Sequence, residues 1–201
     1  ECVLGCILQL YTESKFFAEN QAAHRWEKHR GLRELSGKTA CIIGTGSVGS
    51  AIARRLRAFD VQTVGMNRSG HPAAEFDQTQ PTCRLDDLLP LADLVICAMP
   101  LTAETAGLFD SERIAKIKPG TVFVNVARGK VTDQQALVEA LQSGQLSGAV
   151  LDVFEEEPLP RSSPLWDMEQ VILTPHNSFV GEHNGERLFR LICKNLESFA
   201  Q

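Results

Sequence analysis

Thr39-Ala40-Cys41-Ile42-Ile43-Gly44-Thr45-Gly46-Ser47-Val48-Gly49 is the stretch that decides how this chain of 201 residues folds. A short apolar run with β-branched residues passes at once into a glycine turn. A helical pattern then continues to about Asp60, so the segment predicts strand, turn and helix. The turn fits G-x-G-x-x-G in the context that gives the pattern weight, directly after a strand and opening a helix. Gly44 permits the tight turn, Gly46 lets backbone approach a pyrophosphate, and Gly49 allows close helix–strand contact. Free N–H groups and the helix dipole favour the anion, which assigns Gly44, Thr45, Gly46, Ser47, Val48 and Gly49 to dinucleotide binding. An ordinary glycine-rich turn is the plainer alternative.

The same rhythm continues outward. Residues 61–66, 93–98, 121–126, 148–151 and 171–173 form further apolar runs of strand length. Helical patterns fall near residues 85–90, 111–117 and 132–143, with a helix over 3–17 before the first strand and a long amphipathic helix over 181–200 at the end. Strands that are apolar throughout and alternate with helices predict a parallel sheet covered on both faces, a Rossmann-type doubly wound α/β domain.

Composition narrows the function. A formal net charge of −5 and a pI near 5.6 argue against nucleic acid as a partner, because phosphate binding needs clustered Lys and Arg. Arg54, Arg55 and Arg57 read as a solvated helix face. No run of about 18 uncharged apolar residues predicts a membrane span. The six cysteines, Cys2, Cys6, Cys41, Cys83, Cys97 and Cys193, form no C-x-x-C pair. Cys41 and Cys97 lie inside apolar strands, so reduced thiols in a cytoplasmic protein are expected, and no metal site. The chain opens on Glu1-Cys2-Val3-Leu4 without an initiator Met or a charged, cleavable leader, so a fragment is expected.

Four places carry candidate chemistry. The second strand ends in Asn67-Arg68-Ser69 where an acidic residue would bind a free ribose 2′-hydroxyl. A neutral Asn beside a guanidinium and a hydroxyl suits a 2′-phosphate instead, so NADP is preferred over NAD. Arg68 stacking on adenine or facing solvent is the alternative. Arg128, in Asn125-Val126-Ala127-Arg128-Gly129, closes a strand at the edge where open α/β sheets bind ligands, and can grip a carboxylate or polarise a carbonyl oxygen. His176 follows Thr174-Pro175 at another strand end, and Asn177-Ser178 is placed to cap the final helix. A carboxylate beside His176 would tune it for proton transfer near neutral pH, and the loop Glu155-Glu156-Glu157-Pro158-Leu159-Pro160 offers three, among which composition does not choose.

Together the Gly44–Gly49 turn, Asn125-Val126-Ala127-Arg128-Gly129, Leu151-Asp152-Val153-Phe154 leading to Glu157-Pro158, and Thr174-Pro175-His176 resemble the D-isomer-specific 2-hydroxyacid dehydrogenases. The motifs stand in the family's order, and Pro100-Leu101-Thr102-Ala103-Glu104-Thr105 is a further family-like signature. The resemblance implies that Arg128 binds the 2-oxo and carboxylate groups of a small 2-oxoacid or 2-hydroxyacid. It implies that His176 protonates the carbonyl oxygen as hydride arrives, and that Glu157, five residues after Asp152, is its partner. It places Asp152 near the nicotinamide carboxamide and adds Pro100, Thr105, Ala127 and His176 to the cofactor contacts. Asn67, where NAD-dependent members carry Asp, points to the glyoxylate or hydroxypyruvate reductase type.

The family's architecture implies an interdomain helix and dimerisation arm in residues 1–30, the dinucleotide domain in 31–180, and a C-terminal helix in 181–201 leading back to a substrate domain. A homodimer is implied with it. A short-chain dehydrogenase is rejected, since Tyr11 and Lys15 have the Tyr-x-x-x-Lys spacing but precede the glycine turn, and Tyr11 is the only tyrosine. A dinucleotide-sensing corepressor, as some relatives are, would not need Arg128, Glu157 and His176 together.

Overall fold

The computed structural model describes residues 1–199. Chain order is α1 (Cys2–Tyr11), α2 (Ser14–Ala22), β1 (Thr39–Ile43), α3 (Ser47–Arg57), β2 (Gln62–Asn67), β3 (Gln78–Pro81), α4 (Leu85–Leu88), β4 (Leu94–Cys97), α5 (Ser111–Ala115), β5 (Thr121–Asn125), α6 (Gln134–Gln142), β6 (Leu146–Leu151), β7 (Val171–Leu173) and α7 (Asn184–Phe199). The strands form one seven-stranded sheet in the order β3-β2-β1-β4-β5-β6-β7. Every neighbouring pair is parallel. The doubly wound α/β expectation therefore holds.

Alternation along the strands builds two apolar layers, because successive side chains point to opposite faces. Cys41 and Ile43 of β1 join the cluster of Leu85, Phe109, Phe123 and Leu137, whereas Ala40 and Ile42 join that of Ile7, Ile52, Leu56 and Val150. Cys41 and Cys97 are buried among these apolar side chains, and all six cysteines are free. Burial pushes the Cys41 thiol up to about 12 and that of Cys97 well above its ordinary value. Among the described residues, no group of three or more His, Cys, Asp or Glu could hold a metal ion, and no helix is long and apolar enough to cross a membrane.

The helix expected over 3–17 is two. Glu13 adopts the left-handed conformation (φ 52°) and Thr12 Oγ1 turns back onto the Leu8 carbonyl, which ends α1 and redirects the chain into α2. Val3, Leu4, Ile7 and Leu10 of α1 pack into the same layer as Ile42 and Val150. β3 has no counterpart in the apolar pattern: Gln78-Thr79-Gln80-Pro81 is polar and becomes a strand only by pairing with Val64–Asn67 at the sheet edge, where proline is tolerated. The final helix begins at Asn184, not at 181, and Ala200 lies outside the described residues.

Arg54, Arg55 and Arg57 pair at the surface with Glu75, Glu1 and Asp77. Because all the strands run the same way, their carboxyl ends share one edge. The loops after β1, β2, β4, β5, β6 and β7 converge there.

Candidate active site

The turn after β1 is held open by sterics. Gly44 has φ +109°, and a Cβ there would meet the Ala98 carbonyl oxygen at 2.6 Å. A Cβ at Gly49 would meet the Gly44 oxygen at 1.9 Å, so helix and turn touch backbone to backbone. At Gly46, which caps α3 without a side-chain hydrogen bond, an added Cβ meets nothing within 4 Å. The first N–H groups of α3 therefore open onto free space, as a pyrophosphate cradle requires.

Beside it, at the end of β2, Asn67 Nδ2 donates to Thr45 Oγ1 at 3.3 Å and to the His71 carbonyl at 2.9 Å. Its Oδ1 is buried with no hydrogen-bond partner, an acceptor waiting for a donor such as a ribose hydroxyl. Ser69 Oγ lies 3.0 Å from His71 Nδ1. Arg68 is exposed, and its Nη2 donates to Glu104 Oε2 at 2.9 Å. The residues present fit a bound dinucleotide.

Across the turn, the loop after β4 is tied internally. Thr105 Oγ1 donates to the Pro100 carbonyl and accepts from the Thr102 N–H, both at 2.8 Å. The Thr105 hydroxyl is therefore engaged in shaping its own loop. Pro100, Ala127, Val126, Val48 and Arg128 line a cavity of about 330 Å³. Val48, Val126 and Arg128 also line an adjoining cavity of about 570 Å³ that reaches Ser47, Asp152 and His176. One cleft thus runs from the glycine turn to the histidine.

Arg128 stands exposed at the mouth of this cleft, with Nη1 donating to the Ala127 carbonyl at 2.6 Å. Its loop is shaped by Asn125, whose buried amide accepts from the Ala127 N–H at 3.0 Å and donates to the Arg128 carbonyl at 3.2 Å. Motif reading alone assigns Asn125 no task. A polar side chain closing an otherwise apolar strand is the available signal, since buried amides are kept where they are hydrogen-bonded.

Of the three glutamates, the one facing the histidine is Glu157. His176 Nδ1 is 2.8 Å from Glu157 Oε2, and Oε1 accepts from the Phe154 N–H at 3.0 Å. Glu155 instead accepts from the Gln134 N–H at 2.9 Å. Partial burial pushes the Glu157 carboxyl up, but the hydrogen bonds from His176 and the Phe154 N–H outweigh it and hold it below its ordinary value. The carboxylate is therefore charged at neutral pH, and His176 Nε2 has no protein partner among the described residues. Beyond the ring lies a third cavity, about 560 Å³, lined by Phe154, Leu159, Trp166 and Leu173.

Asn177 and Ser178 do not cap the final helix. Their N–H groups donate to Asp152 Oδ1 at 2.8 and 3.1 Å, and Thr174 Oγ1 donates to the same oxygen at 2.6 Å. The His176 N–H adds a bond to the Asp152 carbonyl at 2.8 Å. Asp152 is only 1% exposed, so this carboxylate is a hub that sets the backbone of the loop on which His176 sits at φ 51°.

Fold and cleft together define an α/β dinucleotide-binding domain whose carboxyl edge carries an arginine and a carboxylate–histidine pair. The chain belongs to the D-isomer specific 2-hydroxyacid dehydrogenases, whose NAD binding domain model matches residues 4–178. It is similar to the glyoxylate reductase of Pyrococcus furiosus, 40% identical over 166 residues, which are 83% of this chain and 49% of the relative. A solved D-isomer specific 2-hydroxyacid dehydrogenase family protein from Aeromonas salmonicida superposes with a TM-score of 0.90 at 37% identity, over 98% of this chain and 63% of the other. An NADPH-dependent glyoxylate/hydroxypyruvate reductase from Sinorhizobium meliloti, solved with NADP and sulfate, gives 0.85 at 30% identity over 99% and 63%. The chain spans about half the length of the curated relatives it matches.

Proposed function

We propose that this chain is the dinucleotide half of a cytoplasmic, dimeric 2-oxoacid reductase that makes D-2-hydroxyacids with NADPH. The observation that carries the reading is the His176–Glu157 pair, 2.8 Å apart, opening on the cleft that Arg128 and the glycine turn share. When bound, the reduced dinucleotide supplies the hydride. Arg128 grips the carboxylate and carbonyl oxygen of the oxoacid and stabilises the charge that grows on that oxygen. His176 gives the oxygen its proton from Nε2, leaving a hydroxyl. Glu157 acts through the histidine: it holds the ring by Nδ1 and so orients Nε2 toward the cleft.

Asn67-Arg68-Ser69 supports NADP over NAD, because no acidic side chain at the end of β2 repels a 2′-phosphate. The relative from Sinorhizobium meliloti described as NADPH-dependent supports the same choice. Two exposed apolar features support a further domain and a partner subunit. The α7 face of Leu188, Phe189, Ile192 and Leu196 is open, and Trp26, in the arm after α2, is 95% exposed. Free cysteines suit the reducing cytoplasm.

The complete two-domain protein is expected to oxidise NADPH in preference to NADH when supplied with glyoxylate, hydroxypyruvate or pyruvate, and to release the D-isomer where the product is chiral. Steady-state rates and chiral chromatography check this. No turnover with any 2-oxoacid would overturn the reading.

A further inference from the structure

Arg68 and Glu104 reach each other across the mouth of the glycine turn. Arg68 follows β2 and Glu104 lies in the loop after β4, and these strands flank β1 on its two sides. The pair therefore spans the C-terminal end of β1, over the adenosine side of the cleft. Both ends sit on ordered turns. Asn67 Nδ2 bonds the His71 carbonyl at 2.9 Å behind Arg68, and the Thr102 and Thr105 bonds at 2.8 Å fix the turn that presents Glu104. The side chains of Arg68 and Glu104 are 84% and 71% exposed, so the 2.9 Å contact is screened by solvent and contributes little to stability. It has consequences for a ligand all the same.

We propose that Glu104 is a specificity-determining residue that weakens discrimination in favour of NADP by occupying the guanidinium meant for the 2′-phosphate. This rests on the reading that Arg68 contacts that phosphate. A phosphate arriving at Arg68 has to displace the Glu104 carboxylate or share the guanidinium with it, and in both cases like charges approach within a few ångström. NAD carries no charge at that position and meets no such competition. The Arg68–Glu104 pair thus holds the site in a compromise. The arginine attracts the phosphate, and the glutamate returns part of that advantage, which leaves NAD a usable second cofactor.

The test is isothermal titration of the 201-residue chain with NADP⁺ and NAD⁺, for the wild type and for Glu104→Gln, Arg68→Ala and the double variant. Glu104→Gln is expected to tighten NADP⁺ by about three- to fivefold, the range set by an exposed ion pair, with little change for NAD⁺. In the Arg68→Ala background the same change is expected to give a smaller gain, because no guanidinium is released to the phosphate and only the direct repulsion by Glu104, free in that variant, is relieved. A gain that shrinks at high salt is the accompanying electrostatic signature. If Arg68→Ala weakens NADP⁺ selectively but Glu104→Gln leaves the NADP⁺/NAD⁺ ratio unchanged, the role of Glu104 is wrong and the phosphate assignment stands. If Arg68→Ala weakens both cofactors equally, the phosphate assignment falls and the inference with it.

Discussion

His176→Ala in the full-length protein is expected to lower kcat by about 10²- to 10⁴-fold, the range for loss of a positioned general acid, with dinucleotide affinity within about twofold of wild type. The reason for the split is geometric. His176 lines the cleft near Arg128, whereas the contacts proposed for the dinucleotide lie chiefly in the turn after β1 and the loop after β2. Truncation at Cβ leaves the Asp152 bonds to the Asn177 and Ser178 N–H groups in place, so the loop keeps its path. Glu157→Gln separates orientation from proton supply. Its amide oxygen still accepts from the ring's Nδ1–H but supplies no negative charge, so kcat falls less than with His176→Ala. Rates with NADPH and an oxoacid, together with cofactor titrations, check both variants. An unchanged rate in His176→Ala would remove the histidine from the mechanism.

Gly129→Ala is expected to be the more damaging change to the folded chain, although Gly129 has no side chain to take part in the chemistry. A Cβ there would stand 1.8 Å from the Phe154 oxygen, 1.9 Å from its carbonyl carbon and 2.5 Å from the Glu155 nitrogen. All three are backbone atoms, so no rotamer change relieves the clash and one loop has to move. Overpacking of this kind costs about 3 kcal/mol or more, the upper end for added methyl groups. At roughly 2–4 °C per kcal/mol for a chain of this size, Tm is expected to fall by about 6–12 °C. Catalysis suffers separately, because Gly129 follows Arg128 while the Phe154 N–H anchors Glu157 at 3.0 Å. Pushing the loops apart moves the arginine away from the histidine pair. Thermal unfolding and kcat together check this, and a Tm within about 2 °C of wild type would show that the loops yield at low cost.

The parts of this fold that are local in sequence are legible in the order of residues alone. The Gly44–Gly49 turn announces itself because its geometry is made by glycines next to one another, and β1, β4 and β5 are continuous apolar runs. β3 is not legible, since Gln78–Pro81 has no strand pattern and is a strand only through its ladder to β2. The break between α1 and α2 is hidden for a similar reason: apolar spacing carries through it, and only the backbone of Glu13 shows the turn.

In the site, Arg128 and His176 are visible as polar residues at strand ends, but what holds them is not. Asp152 reads as one acidic residue in an apolar segment, and the three residues that donate to its carboxylate, Thr174, Asn177 and Ser178, lie more than twenty residues away. Glu104 is 36 residues from Arg68, and nothing in either neighbourhood marks the pair. Gly129 looks like any glycine after an arginine until the Phe154 backbone is brought against it. Contacts between loops at the carboxyl edge are set by the sheet order, which a linear pattern does not contain.

The proposed activity requires the turn after β1 to hold a dinucleotide through backbone that only glycine leaves clear. Calorimetric titration of NADPH into the 201-residue chain and its Gly46→Ala variant tests it most directly. A Cβ at Gly46 meets no protein atom within 4 Å, so the fold tolerates it apart from an N-cap preference of about 1 kcal/mol, or about 4 °C in Tm at most. The methyl group would occupy the space through which the pyrophosphate approaches the α3 N–H groups. Saturable binding by the wild type is the expected result, with affinity weaker by about tenfold or more in Gly46→Ala at near-native Tm, a difference of at least about 1.4 kcal/mol. Equal affinity in the two proteins, or no binding by a folded wild type, would contradict it.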